Sequence, residues 1–464
     1  MPELYPDATG IAQSVRNREV TAKAVVAAAL ARIAEYNPML NCFTTVLADQ
    51  AIQDAEAIDQ AIATGHDPGP LAGVPFGVKD LFDIAGVTTL AGSKINAARS
   101  PAPQDATLIQ RLKQAGAILV GAQLMDEYAY GFVTENSHYG PCHNPHDLAR
   151  MTGGSSGGSA ASVAAGLVPL SLGSDTNGSI RVPAALCGIF GLKPTFGRLS
   201  RARTYPFVAS LDHLGPFTRS VRDSALAFDL LQGPDPADPA CTQRPPQPCL
   251  PELTKGIEGL RIAIADDYFA TNAAPEVLTA VEQIGQALGT TKRVTIPEAK
   301  RARAAAFIIT ASEGSNLHLE DLRRSPQDFD TATRDRFLAG ALIPTTWYLQ
   351  AQRFRAWYRD RVREIFQHVD IILAPTVPCP APAIGQTILT LDGVETLLRP
   401  NLGLFTQPLS FIGLPIMNVP IQRPGELPIG VQIIAAPYQE ALALRVAAYL
   451  ESQHLVAAPV PTLT

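Results

Sequence analysis

The residue types most able to do chemistry gather in three strings. Gly153-Gly154-Ser155-Ser156-Gly157-Gly158-Ser159 is the first, and Gly173-Ser174-Asp175-Thr176-Asn177-Gly178-Ser179-Ile180-Arg181 is the second. Upstream lies Gly77-Val78-Lys79-Asp80. Amide hydrolysis needs a nucleophile, a group that takes its proton, and donors for the oxyanion. A serine hydroxyl is weak without a base beside it, and lysine can be that base once burial leaves it neutral. A second serine can pass the proton between them. Glycines near the nucleophile let backbone N–H groups turn toward developing negative charge. These strings supply every part.

Each string alone has a plainer reading. A Gly-Ser run reads as a linker, and an isolated lysine reads as solvated. Asp80, if close in space, would favour the charged form of Lys79 and weaken it as a base. Gly153-Gly154-Ser155-Ser156-Gly157 also fits the G-x-S-x-G nucleophile elbow, which requires a strand just before it and a later acid and histidine. The preceding Asn144–Arg150 stretch is polar and turn-like, and His213, His318, His368 and His454 have no recognisable setting. No S-x-x-K arrangement surrounds these serines, and Pro194 between Lys193 and Thr195 excludes a P-loop.

The elements that must position these residues follow from periodicity. Thr21 caps an apolar helical stripe that ends at Asn37-Pro38. A second helix is predicted over Ala48–Ala63, a buried strand at Gly73–Val78, a helix at Thr107–Ala115 and a strand at Ala117–Gly121. Val163, Leu167, Val168, Leu170 and Leu172 turn the Gly-Ser-Ala region into a buried helix followed by a strand. The Gly233–Pro251 stretch, with its prolines, is expected to connect two halves of one sheet over the surface. Beyond it, strands are predicted at Leu260–Ala265, Ile371–Ala374 and Ile429–Ala435. Helices are predicted near Pro275–Leu288, Ala302–Leu322, Thr345–Gln367 and Glu440–Glu451. Helix alternating with short apolar strand indicates an α/β layered fold. No internal repeat is found.

Taken together, in this order, the strings resemble the amidase signature family over nearly the whole chain. The resemblance implies one domain over residues 1–464, with a helical N-terminal part to about residue 65. It implies a large central mixed β-sheet flanked by helices on both faces. Ser179 matches the acylated nucleophile, Ser155 the bridging serine that follows a cis peptide bond, and Lys79 the general base. The backbone N–H groups of Thr176, Asn177, Gly178 and Ser179 match the oxyanion hole. Asp175 and Arg181 match a pair that orients the loop without doing chemistry.

Two groups in the family are most similar. Met125–Ala129 and Thr134–Ser137 resemble the amidase component of glutamyl-tRNA amidotransferases, which hydrolyses glutamine. Leu90–Asn96, Tyr128–Phe132, His138–Cys142 and Ala351–Arg355 resemble carboxybiuret hydrolases of cyanuric acid breakdown. Asn177 stands where the amidotransferase group has Gly, and Asn tolerates unusual backbone better than most residues. Gly403 falls where that group carries an acid for the substrate's amino group. The expected substrate is therefore a small carboxylated ureido amide. Arg336 is expected to meet its carboxylate by bidentate pairing, with Tyr130, His138 and Gln407 as further pocket residues. An inactive scaffold is the reading of another class, disfavoured because no catalytic position is substituted.

Composition sets the outer bounds. The chain has 464 residues, a hydrophobic fraction of 46% and a formal net charge of −6, which suit a large buried core and give no case for direct nucleic-acid binding. The six cysteines form no C-x-x-C pair, so they read as reduced thiols of a cytoplasmic protein, with a Cys241–Cys249 bridge left open. The first seven residues carry no secretory pattern, and no apolar run is long enough to span a membrane. No metal or cofactor is implied. Both similar groups work with a small helical partner protein, so a hetero- or homo-oligomer is expected.

Overall fold

The structure is a computed structural model that describes residues 7–421, 423 and 425–463. The expectation about a secretory pattern falls mostly on residues 1–6, outside the described residues. In the N-terminal part, α1 (Ala8–Arg16), α2 (Ala22–Leu40) and α3 (Ala48–Ala63) surround β1 (Phe43–Val46). Thr21 caps α2 by accepting from the Ala24 N–H at 3.1 Å. The helix runs past Pro38 to Leu40 and stops at Asn41, which is left-handed at φ 50°. The Asn37-Pro38 boundary is thus corrected by one turn.

A single sheet of 11 strands runs through the molecule. Its strands are β1, then β2 (Pro75–Lys79), β3 (Ile118–Gln123), β4 (Leu170–Asp175), β5 (Phe190–Lys193) and β6 (His213–Thr218). The second half adds β7 (Ile262–Ala265), β8 (Arg293–Val294), β9 (Ile371–Pro375), β10 (Ile416–Ile421) and β11 (Ile429–Ala435). The order across the sheet is β1-β3-β2-β4-β6-β5-β10-β11-β9-β7-β8. β2 pairs in parallel with β3 and β4, β7 pairs in parallel with β8 and β9, and the strands between run antiparallel. Successive side chains of a strand face opposite ways. Every residue of β2, β3, β4, β6, β9, β10 and β11 is buried, so both faces of the sheet are covered.

The cover is helical. The first half contributes α4 (Thr107–Gln114), α5 (Gly157–Ala164), α6 (Arg181–Leu186) and α7 (Val221–Leu231). The second contributes α8 (Pro275–Ala287), α9 (Ala299–Leu317), α10 (Leu319–Arg324), α11 (Thr331–Ala341) and α12 (Thr345–Ile365). Two short turns, α13 (Leu398–Asn401) and α14 (Gln407–Ser410), precede the closing α15 (Glu440–Ser452). The helix expected at Ala302–Leu322 breaks at His318 into α9 and α10. Residues 147–151, expected to turn, form a strand paired with 143–144 in a separate two-stranded hairpin. All six cysteines are free, Cys241 and Cys249 each donating to a nearby carbonyl oxygen.

Candidate active site

Lys79 ends β2 and lies fully buried among neutral partners. Its Nζ donates to Ser155 Oγ at 2.6 Å and to Ser174 Oγ at 2.8 Å. Burial lowers its pKa to about 7, against the charges of Asp126, Asp212 and Asp175, which pull it upward. Asp80 faces elsewhere: its carboxylate accepts from Thr44 Oγ1 at 2.7 Å and from the Leu90 N–H at 3.2 Å. The neighbour that could have weakened the base is thereby diverted.

Ser155 is held from both sides. The Gly154–Ser155 peptide is cis, and the Ser155 carbonyl accepts from the Asp126 N–H at 3.2 Å. A Cβ on Gly154 would lie 2.2 Å from Asp126 Oδ2, so only glycine fits there. Asp126 in turn accepts from the N–H groups of Val133 and Thr134, at 3.3 and 3.0 Å. Ser156 bonds the β4 backbone, donating to Ser174 O at 3.1 Å and accepting from the Ser174 N–H at 3.3 Å. The sequence pattern does not single out Ser174 or Asp126. Ser174 is visible beside Asp175, but its hydroxyl meets Lys79 only because β2 and β4 are parallel neighbours.

The turn from β4 into α6 carries Ser179, 3% exposed. The backbone N–H groups of Asn177, Gly178 and Ser179 have no acceptor among the described residues, the condition of an oxyanion hole. Gly178 is at φ 143°, and a Cβ there would lie 2.1 Å from Thr406 Oγ1. The unusual backbone therefore falls on Gly178, not on Asn177 as expected. Asn177 instead spends its Nδ2 on Thr310 Oγ1 at 2.9 Å, leaving its buried Oδ1 without a partner among the described residues.

Asp175 and Arg181 brace this turn. Arg181 donates to Asp175 through Nε at 2.9 Å and Nη2 at 3.0 Å, to Gln432 Oε1 at 2.6 Å and to Thr406 O at 3.2 Å. Burial raises the Asp175 pKa, but the charge and hydrogen bonds of Arg181 outweigh it and hold the carboxyl well below its ordinary range.

Ser179 opens on a narrow cavity of about 10 Å³ that Tyr130, Phe132, Phe207, Phe307, Arg336 and Gln407 also line. Arg336 donates to Tyr130 O at 2.6 Å and stacks on the Tyr130 ring at 3.7 Å. No carboxylate pairs with it among the described residues. Gln407 accepts from Arg303 Nε at 2.8 Å, and its NH₂ has no protein acceptor among the described residues. His138 is not among the lining residues; its Nε2 lies 3.1 Å from Glu127 Oε1, in a cluster that also holds Asp330 and Thr333. At Gly403 a Cβ would lie 2.4 Å from the Phe132 ring, so the space an acid would need is filled by the cavity wall. Among the described residues no group of three or more His, Cys, Asp or Glu is placed to hold a metal, and no helix is long and apolar enough to cross a membrane.

An 11-strand mixed sheet with a buried lysine–serine pair below a serine-lined cavity defines an amide hydrolase, and the chain belongs to the amidase family, whose profile matches residues 24–444. Among known proteins it is 54% identical over 444 residues to the AtzE component of the 1-carboxybiuret hydrolase of Pseudomonas sp. (strain ADP), covering 95% of this chain and 97% of that one. It is 36% identical to a glutamyl-tRNA(Gln) amidotransferase component of Carboxydothermus hydrogenoformans, covering 96% and 97%. A solved, inhibitor-bound structure described as a vestigial protein complex that reveals the origins of an s-triazine catabolic enzyme superposes with a TM-score of 0.96. It is 52% identical and covers 98% of this chain and 100% of its own.

Proposed function

We propose that the chain releases ammonia from a small carboxylated ureido amide of the 1-carboxybiuret type. The observation that carries the reading is Arg336, a guanidinium that forms no ion pair among the described residues, in the same narrow cavity as Ser179. Such a cation, partly withdrawn from water, favours an anionic ligand. The 54% identity to a carboxybiuret hydrolase component supports the same substrate class. The filled space at Gly403 disfavours glutamine, whose ammonium would need an acid there.

In the proposed reaction Ser179 Oγ attacks the amide carbonyl carbon while its proton passes through Ser155 to neutral Lys79. The N–H groups of Thr176, Asn177, Gly178 and Ser179 stabilise the oxyanion. Collapse breaks the C–N bond, and the proton returns from Lys79 through Ser155 to the leaving nitrogen. Water then attacks the acyl-Ser179 carbonyl and gives its proton to the same relay; the ester C–O bond breaks, the relay returns the proton to Ser179 Oγ, and the acid leaves. Asp175 and Arg181 keep the turn in shape.

A small helical partner protein is part of the proposal. It is supported by the related structure described as a complex and by the apolar side chains at the α11–α12 turn, Leu342, Trp347 and Leu349, which are 82%, 55% and 51% exposed. Purification together with genomic neighbours encoding small helical proteins, followed by gel filtration, tests it; a chain that stays alone in every combination counts against it.

The deciding experiment measures ammonia release from carboxybiuret, biuret and glutamine by wild type and Ser179→Ala, with and without such a partner. Turnover of carboxybiuret that disappears in the variant is expected. Preference for glutamine would move the chain to the amidotransferase side.

A further inference from the structure

A second, larger cavity of about 580 Å³ opens beside the catalytic one, and Tyr268, Lys300, Arg303, Val394, Asn401 and Leu404 are among its lining. α9 runs along both. Lys300 and Arg303 face the outer cavity, and Phe307 and Thr310, further along the same helix, line the inner one. The 2.8 Å hydrogen bond from Arg303 Nε to Gln407 Oε1 joins an outer-cavity residue to an inner-cavity residue. The outer wall is the hairpin of strands 388–391 and 394–397. Its tip is latched by Asp392 Oδ2, which accepts from the Asn272 N–H at 2.6 Å.

Arg303 Nη2 donates to Pro400 O at 2.6 Å and to Asn401 Oδ1 at 2.8 Å, so the hydrogen-bond partners of this half-buried guanidinium are neutral. Among the described residues neither Arg303 nor Lys300 pairs with a carboxylate. Asp267 and Glu298 also line the cavity; Glu298 pairs with Arg301 at 3.5 Å, and among the described residues neither carboxylate bonds Arg303 or Lys300. Withdrawing a guanidinium from water without a counter-ion is costly, and a planar carboxylate offsets that cost through its fork of donors.

We propose that the outer cavity is a vestibule in which Arg303 and Lys300 receive the carboxylate of the substrate, and that the Arg303–Gln407 bond is the gate to the catalytic cavity. The inference rests on the reading that the substrate is a carboxylated amide. An incoming carboxylate competes with Gln407 Oε1 for Arg303 Nε. Once released, the Gln407 amide is free to turn and leave the passage open. The anion then exchanges Arg303 for Arg336, the next guanidinium along its path, with Ser179 in the same cavity.

The test compares Arg303→Met, Arg303→Lys and Lys300→Glu with wild type in two assays. The first is kcat/KM on carboxybiuret across a salt series. Wild-type kcat/KM is expected to fall with salt. Arg303→Met should lose at least tenfold, chiefly in KM, with a flatter salt response. Arg303→Lys should keep the salt response but not the affinity, because an ammonium lacks the fork. Lys300→Glu, at an exposed rim position, should lower kcat/KM and flatten the salt response with no folding risk. The second assay is calorimetric titration of malonamate, a stable carboxylated amide, into Ser179→Ala protein with and without Arg303→Met; at least tenfold weaker binding is expected. Failure of wild type on carboxybiuret with intact malonamate dependence on Arg303 would refute the proposed substrate and leave the vestibule standing. Losses confined to kcat with an unchanged salt slope, or unchanged malonamate affinity, would overturn the vestibule.

Discussion

Lys79 shows how the site and its environment depend on one another. A base that must be neutral cannot be exposed, and the Nζ is surrounded by hydroxyl groups in place of carboxylates. With its pKa near 7, the proposed relay is blocked by a proton below that pH and opens above it. The pH profile of kcat/KM should therefore rise on an acidic limb centred near 7. Lys79→Ala should lose roughly 10²–10⁴-fold of the rate, the typical worth of general-base catalysis, and the limb with it. A variant that keeps both rate and limb would remove Lys79 from the mechanism. Asp175, Ser179 and Arg181 were legible together because they share one turn, whereas Lys79 and Ser155, distant in the chain, were joined only through the family resemblance. Asp126 and Ser174 were not legible: Ser174 meets Lys79 across neighbouring strands of the sheet, and Asp126 meets Ser155 between loops distant in the chain. The placement of an unusual backbone on Asn177 failed for a different reason: Gly178 beside it absorbs the positive φ.

At the scale of elements, periodicity located the buried strands and long helices well; Ala48–Ala63 and Ile429–Ala435 match to the residue. It gave no strand at β6 or β10, where Pro216 and Pro420 interrupt the pattern. The structure tolerates both because each lies where one neighbour is missing. The ladder between β6 and β5 begins at Phe217, and the one between β10 and β5 ends at Asn418. The break between α9 and α10 was equally invisible. There His318 enters an aromatic box, 4.0 Å from the Tyr128 ring and 4.7 Å from that of Phe337 by centroid, with no protein partner for either ring nitrogen among the described residues. Burial, then the charge of Arg99, lowers its pKa to about 3. A pKa lowered on folding means the unfolded chain binds more protons, so stability is present above about pH 6.5 and is lost as pH falls toward 3. His318→Phe should raise Tm and remove this part of the acid sensitivity; a lower Tm at neutral pH would show that the ring nitrogens are satisfied. The contact of Gly403 with Phe132 makes a second prediction for this level. Gly403→Ala should cost about 1–3 kcal/mol by overpacking, and in a denaturant titration the double variant with Phe132→Ala should lose less than the two single losses added together.

Across the whole molecule, one buried charge cluster ties the two halves of the sheet together. Arg181, in the first half, reaches Asp175 on β4, Gln432 on β11, Ser410 on α14 and the Thr406 carbonyl that precedes it. Gln432 continues the chain of bonds to Pro375 O on β9 at 2.8 Å. The reactive turn is thus clamped between strands that are far apart in sequence, which explains how a serine and three free N–H groups can be held in place without regular structure of their own. Both charges are fully buried, so removing one partner strands the other. Arg181→Met should cost about 3–5 kcal/mol, far more than any exposed ion pair on the surface. Adding Asp175→Asn should return part of that loss, because the two effects share one interaction and are not additive. The Asp175 carboxyl is held below its ordinary range, so its contribution is present above about pH 4 and fades as acid protonates it. Denaturant titrations of the wild type, both singles and the double variant at pH 7 and pH 3 test this directly. Strict additivity, or the same loss at both pH values, would mean that the cluster fills space and does not join the halves through its charge.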